Sequence, residues 1–387
     1  VSEHRSSRRF AVAAALLGLT LGVFAVEAAP RLLPGLMPAK VQAVQRIYDA
    51  RNSWEDMMRP DRDLGFVLKP GLQIRFPSEG REVEIRTVDL GIDAIGYRDV
   101  GTRPPFDAIA LGDSFTFCDD APAETCWVRL LANATGYSIA NLGINGYSNL
   151  AEARLLERVG ARLAPKLVLV GFFPNDFKDN VHFYNWSQSG SDDYWDWMRS
   201  KRRSDTSEWL ARNSVMYRLF DAARRYGQRT TFEHKQDGLD FVFRADAWWQ
   251  GVVERRGVTP TYELTEQALR ELASTAKDID SRLVVLLFPF KEQVYWSVAR
   301  QYYPQAAELG ENGLDAPFVT VRSFLSREGI PFCDVTDDLR RAARGSEQLY
   351  LRAGAHWTDA GNRVAAGAVA ECLAAKGMVA ARSSGVG

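Results

Sequence analysis

The sequence predicts a three-layer α/β/α domain built on a central parallel sheet, with an N-terminal transmembrane helix and a small β-rich preface ahead of it. Three observations carry this expectation. Short apolar runs alternate with helical patterns through residues 101–180 and again through 261–378. Strands apolar at nearly every position belong to a parallel sheet covered on both faces. A charge-free run opens the chain behind a cluster of arginines, and between that run and the alternation the apolar period shortens to two.

In chain order, "VSEHRSSRRF" carries Arg5, Arg8 and Arg9, and Phe10 to Val26 holds no charge. Seventeen such residues lie at the short edge of a membrane span and are long for a signal-peptide core. Arginines ahead of a span stay in the cytoplasm, which places everything after Glu27 outside it. A signal anchor over residues 1–28 is the favoured reading. A cleaved signal peptide is the rival, because Val26-Glu27-Ala28 would serve as a processing site.

Residues 29–100 read as a linker and preface. A short helix is expected at Val41–Met58. Then "REVEIRTVD" sets Val83, Ile85 and Thr87 against charged neighbours, the pattern of a half-buried strand. Buried strands follow at Ala108–Leu111, Ser138–Leu142, Leu167–Phe173, Leu283–Phe288 and Phe332–Val335. Helices are expected near 122–134, 149–163, 262–278, 316–328 and 359–375. The stretch 181–260 breaks the rhythm and holds six of the ten tryptophans. It reads as an insertion, a lid or a packed cap.

Net charge is −1, so nothing global points to nucleic acid. The four cysteines, Cys118, Cys126, Cys333 and Cys372, allow two bridges and three pairings, and an exported chain permits them. They lack the spacing of a zinc site, no glycine-rich phosphate loop follows the first buried strand, and no cofactor is expected.

Ligands of such sheets bind at the carboxyl ends of the strands, where "ALGDSFTFCDD" places Ser114. Alone, Ser114 reads equally as a helix N-cap. As a nucleophile it needs a base and a cage for the developing oxyanion. Of the four histidines, only His356, in "LRAGAHWTDAGNRVAA", sits in a loop opening at the same edge. Gly146 in "NLGINGYSN" and Asn175 in "GFFPNDFKDN" follow the next two strands. With the Ser114 N–H they would supply three oxyanion donors. Asp113 and Asp176 read as supporting residues that order their loops.

Asp113-Ser114, Gly146, Asn175-Asp176 and His356 stand in the order and positions of the blocks of the SGNH/GDSL hydrolases, and residues 105–376 resemble that family. The resemblance implies a flavodoxin-like fold and a serine esterase or acyl (acetyl) transferase. Its substrate would be an acylated glycan or small ester, and the chain would be anchored in a bacterial inner membrane facing the periplasm. Ser114 would be the nucleophile, Gly146 and Asn175 the oxyanion donors, and His356 the base.

Two departures stand out. Pro174 replaces the usual glycine of the third block. Ala353 occupies the place, three residues before His356, where the family carries its triad aspartate. A backbone carbonyl could take the imidazole's other N–H, leaving a Ser–His dyad. A carboxylate from elsewhere could reach in, with Asp334, Asp337 and Asp359 nearest by sequence. Or the protein binds glycans, or takes part in polysaccharide assembly, without catalysis.

Overall fold

The computed structural model describes residues 2–202, 204–226, 231–244, 261–304 and 313–380. Two compact units divide the chain: Val1–Asp56 with Met198–Arg229, and Met57–Trp197 with Thr230–Gly387.

The first unit is helical. Its helix Ser2–Leu32 contains the apolar stretch Phe10–Leu32, 23 residues of mean hydropathy 2.1 with none of it buried, long enough to cross a membrane. Helices Ala39–Asp56, Asp205–Asn213 and Val215–Tyr226 complete the unit. They share a small apolar cluster of Tyr48, Ala211 and Ala222.

The second unit is organised by a ten-stranded sheet. Strands β1 (Met58–Asp61), β2 (Gly65–Leu68), β3 (Gln73–Ser78), β4 (Arg81–Asp89) and β5 (Gly96–Arg98) form the antiparallel preface. The alternation read in "REVEIRTVD" is that of β4, whose Val83, Ile85 and Thr87 are buried. Next come β6 (Ala108–Gly112), β7 (Ile139–Asn141), β8 (Leu167–Phe172), β11 (Arg282–Leu287) and β12 (Phe332–Asp334), between which lie β9 (Thr231–Gln236) and β10 (Leu239–Arg244). The five strands expected from their apolar runs are all present and all parallel, in the order β7-β6-β8-β11-β12.

Renumbered along the chain, that order is second, first, third, fourth, fifth, the flavodoxin-like arrangement. Its connections part to opposite sides between β6 and β8, the point where ligands bind in such sheets. The expected helices stand at Trp127–Thr135, Asn149–Leu163, Thr261–Asp278, Ala316–Glu328 and Asp359–Ala375. The core is the continuous apolar interior of these strands packed against those helices, including Ala110, Leu131, Leu169, Leu286 and Val369.

Residues 181–260 are distributed between the units. Trp186 and Tyr194 are buried in the second, where the Trp195 ring centroid lies 4.9 Å from that of Phe66. The helices over 205–226 belong to the first. β9 and β10 form a hairpin that buries Phe241 and Phe243, turning at Asp237 and Gly238 with φ of 54° and 80°. Two adjacent residues of positive φ are what an Asp-Gly hairpin turn provides. The part of the stretch carrying Trp248 and Trp249 lies outside the described residues. The cysteines pair as Cys118–Cys126 and Cys333–Cys372.

Candidate active site

β6 ends at Gly112, whose φ of +151° belongs to glycine and where a Cβ would stand 2.1 Å from Thr116 Oγ1. That tight corner turns the chain into a one-turn helix, Ser114–Phe117. Asp113, not Ser114, is its N-cap: the Asp113 carboxylate accepts from Phe115 N at 2.9 Å. The Ser114 hydroxyl is thereby left for other partners. It lies 2.8 Å from His356 Nε2.

The other imidazole nitrogen also has a carboxylate partner. His356 Nδ1 is 2.6 Å from Asp120 Oδ2. The carboxylate comes from six positions after the serine. Asp359 is instead held by Arg81, at 2.7 and 2.9 Å, and by Thr125. Asp334 is held by Arg322 and Thr336 N, and Asp337 is an exposed partner of Arg340. Among the described residues, neither a backbone carbonyl nor any of those three aspartates is hydrogen-bonded to His356 Nδ1.

Asp120 reaches the imidazole because the serine's helix stops after one turn. Cys118 takes the left-handed conformation, φ 62°, and reverses the chain. The reversal is held from three sides. The Cys118–Cys126 bridge closes the loop. The buried Arg98 guanidinium donates to Cys118 O at 3.1 Å and Ala121 O at 2.7 Å. Arg81 donates to Asp120 O at 2.9 Å.

The loop before His356 is held differently. Glu79, at the tip of the β3–β4 hairpin, accepts from the N–H groups of Arg352 and Ala353, each at 2.6 Å, and of Gly354 at 3.3 Å. From the other side the Lys291 ammonium donates to the carbonyls of Val242, Leu351, Arg352 and Gly354 at 3.1–3.4 Å, over the rings of Phe241 and Phe243. β10 adds Val242 N to Arg352 O at 2.8 Å, and an Arg352–Asp240 ion pair. Ala353 therefore contributes its backbone to the Glu79 clamp.

The charges follow from these contacts. Burial pulls the His356 pKa down, but the Asp120 hydrogen bond and the charges of Asp119, Asp120 and Asp113 outweigh it and raise the imidazole to about 9. Burial also pushes on Asp120, whose carboxyl nevertheless lies below the usual range because the imidazole hydrogen-bonds and attracts it. Its neighbour Asp119 is pushed up to about 8 by burial, and accepts a hydrogen bond from the Asn145 amide.

Gly146, φ +82°, lies in the turn after β7, which is tied to the Gly112–Ser114 corner by Ile144 N donating to Gly112 O at 3.0 Å. Among the described residues the N–H groups of Ser114 and Gly146 have no protein acceptor. Asn175 follows β8; its amide donates to Asp179 Oδ2 at 3.0 Å and its Oδ1 is buried without a partner. Asp176 is fully buried and accepts from Phe173 N at 3.0 Å and Asn149 at 3.2 Å, so it orders the loop. Burial raises the carboxyls of Asp113 and Asp176, and takes Glu152 up to about 8.

An α/β domain of flavodoxin-like order, with a Ser–His–Asp hydrogen-bonded relay at the end of its first parallel strand, defines the class. Residues 234–385 match the family model described as "SGNH hydrolase-like domain, acetyltransferase AlgX". That stretch of the chain is similar to an SGNH hydrolase-like domain. Solved structures similar to this chain include a putative lipolytic protein of the G-D-S-L family from Desulfitobacterium hafniense, at 12% identity, covering 69% of this chain and 98% of that one with a TM-score of 0.37. An alpha/beta hydrolase from the metagenome of Lake Arreo is 16% identical, covering 73% and 99% with a TM-score of 0.38. An acetylxylan esterase from Geobacillus stearothermophilus, as a catalytic mutant, is 16% identical, covering 69% and 94% with a TM-score of 0.35. No curated protein matches the chain.

Proposed function

We propose that this chain is an extracytoplasmic serine esterase or acyl transferase that acts on small ester-linked acyl groups of a glycan. Ser114 Oγ attacks the ester carbonyl as His356 Nε2 takes its proton. Asp120 holds the Nδ1–H tautomer and stabilises the imidazolium. The N–H groups of Ser114 and Gly146, with the Asn175 amide turned from Asp179, receive the oxyanion. His356 returns its proton to the leaving alcohol. Water, or a second hydroxyl group, then releases the acyl-enzyme with His356 again as base.

The observation that carries this reading is the unbroken path Ser114 Oγ–His356 Nε2, 2.8 Å, and His356 Nδ1–Asp120 Oδ2, 2.6 Å. The family model's description as an acetyltransferase supports a small acyl group. The small space lined by Ser114, Asp119, Asp120 and His356, about 190 Å³, also supports a small acyl group, and a separate open groove with a polar lining that includes Ser78, Arg81, Gln348 and Arg363 supports a hydroxyl-rich substrate. An apolar N-terminal helix serving as an inner-membrane anchor would keep the domain at the periplasmic face.

The test is turnover of p-nitrophenyl acetate by the full chain in nanodiscs, beside Ser114→Ala. We expect a loss of at least ~10³-fold in kcat. Equal rates reject catalysis by Ser114, and oligosaccharide binding that persists in both would then favour a binding protein.

A further inference from the structure

One helix of the first unit buries charge and exposes large apolar side chains. In Val215–Tyr226 the side turned inward carries Arg218 and Asp221, exposed by 7% and 1%, beside the small apolar residues Val215 and Ala222. Arg218 donates to Gln45, Asp49 and the carbonyls of Ala211 and Arg212, and Asp221 accepts from Tyr48 at 2.5 Å. The side turned outward carries Met216, Phe220 and Ala223, spaced i, i+4, i+7, with Phe220 exposed by 66%. A helix packed for water does the reverse, burying its apolar stripe and exposing its charges. The preceding helix, Asp205–Asn213, also exposes its Trp209, by 62%.

The corner between these two helices is riveted to Ser2–Leu32. Glu27 accepts from Ser214 Oγ at 2.6 Å, Val215 N at 2.8 Å and Met216 N at 3.1 Å, which caps the helix Val215–Tyr226. Arg31 donates to Asn213 O. These are the first charged residues after the uncharged run Phe10–Val26. At 1.5 Å per residue that run spans about 26 Å, close to a hydrocarbon core. A carboxylate and a guanidinium that follow it stand at the headgroup level, so the corner they hold stands there too. The first exposed apolar residue of the helix Val215–Tyr226, Met216, is one of the residues whose N–H Glu27 accepts. Leu32, Leu33 and Leu36, which follow in the chain, are also exposed.

From this we infer that the helices Asp205–Asn213 and Val215–Tyr226 are a second membrane contact, lying in the outer leaflet interface of the bilayer that Ser2–Leu32 crosses, with Met216, Phe220 and Trp209 turned to lipid. Interfacial helices present an apolar side to the acyl boundary, and tryptophan is enriched at that depth. The occupant is lipid and not a second protein because the helix that carries Met216 and Phe220 is bonded to Glu27, the residue that ends the uncharged run. The inference rests on the anchor reading of that helix and goes beyond it. One crossing helix leaves the first unit free to swivel; an interfacial pair joined to it gives that unit a fixed face toward the membrane.

The chain's described cysteines are all bridged, so an introduced cysteine is a unique labelling site. The experiment places nitroxide labels at Met216→Cys, Phe220→Cys, Leu17→Cys and, as an aqueous reference, Lys277→Cys. Collision with oxygen and with a nickel chelate is measured for the full chain in nanodiscs, and turnover of p-nitrophenyl acetate checks each fold. We expect an oxygen-to-nickel accessibility ratio several-fold higher at positions 216 and 220 than at 277. Nickel access at 216 and 220 equal to that at 277, with position 17 still oxygen-rich, overturns the interfacial contact and leaves the anchor standing. Nickel access at 17 as well overturns the anchor and the inference together. Labels at 216 and 220 shielded from both reagents mean a covering protein or second copy, and also overturn it.

Discussion

The two loops that meet at His356 are built on opposite principles. The loop bearing Asp120 is fixed close to its own strand: a one-turn helix, a disulfide eight residues long in sequence, and a buried arginine that binds two of its carbonyls. The loop bearing His356 depends on residues from remote parts of the chain. Glu79 gathers its N–H groups and Lys291 its carbonyls, from 273 and 60 positions away. The first arm has redundant restraints, and losing one leaves the others. The second is held mainly between two opposite charges, beside the Val242–Arg352 bond and the Arg352–Asp240 pair, so losing either charge loosens the backbone that carries His356. Sensitivity to substitution should therefore be greater for the holders of the base than for the staple of the acid.

The largest effect is expected at the junction itself. Asp120→Asn should lower kcat by about 10⁴ with little change in KM, since an amide holds the wrong tautomer. The imidazole pKa of about 9 means that the base is largely protonated at pH 7, so kcat/KM should rise with pH through that value. Removing the Asp120 charge disfavours the imidazolium, so in Asp120→Asn the midpoint should move to lower pH. A loss under about tenfold, or an unmoved midpoint, would mean that the Asp120 contact does not serve the reaction.

Ala353→Asp sharpens the same point. In the wild-type background it should bring no gain, because Nδ1 is already occupied and Glu79 adds a like charge nearby. In Asp120→Asn it should recover part of the rate, and complete failure there would show that position 353 no longer reaches the base.

Next in size, Lys291→Met should cost about 10² in kcat, the scale of an ångström-level misplacement. It should also lower the melting temperature, since buried carbonyls left unpaired cost about 1–3 kcal/mol. Lys291→Arg should restore part of both. Glu79→Gln is expected to cost about tenfold by the same misplacement, because an amide oxygen still accepts while the charge is lost. The smallest effect on turnover should come from Cys118→Ser with Cys126→Ser, within about threefold, although stability measured by urea unfolding should fall by about 2 kcal/mol. If that pair costs more turnover than Lys291→Met, the contrast between the two arms is reversed.

How much of this was legible in the sequence depends on the range of the interaction. β6, β7, β8, β11 and β12 could be read from their apolar runs because a strand covered on both faces needs apolar residues at nearly every position. The blocks around Ser114, Gly146, Asn175 and His356 could be placed at strand ends for the same reason. The β9–β10 hairpin carried a local signal, Asp237-Gly238 between alternating residues, that the irregular composition around it obscured. Asp120 stood in plain view, two residues after Cys118. The spacing of the SGNH/GDSL blocks puts the acid three residues before the histidine, where this chain has Ala353, and carries no signal for the serine's own loop.

Sequence alone determined the fold class and the edge of the sheet at which chemistry would be sought, since periodicity and strand burial are properties of neighbouring residues. Only tertiary structure decided which carboxylate faces His356. That choice depends on the left-handed turn at Cys118 and on a loop brought within 2.6 Å of a histidine 236 positions away, a distance that no local pattern encodes. It likewise decided that Met216 and Phe220 face outward while Arg218 is buried, because a helix's apolar side is visible in sequence but the surface it turns toward is not.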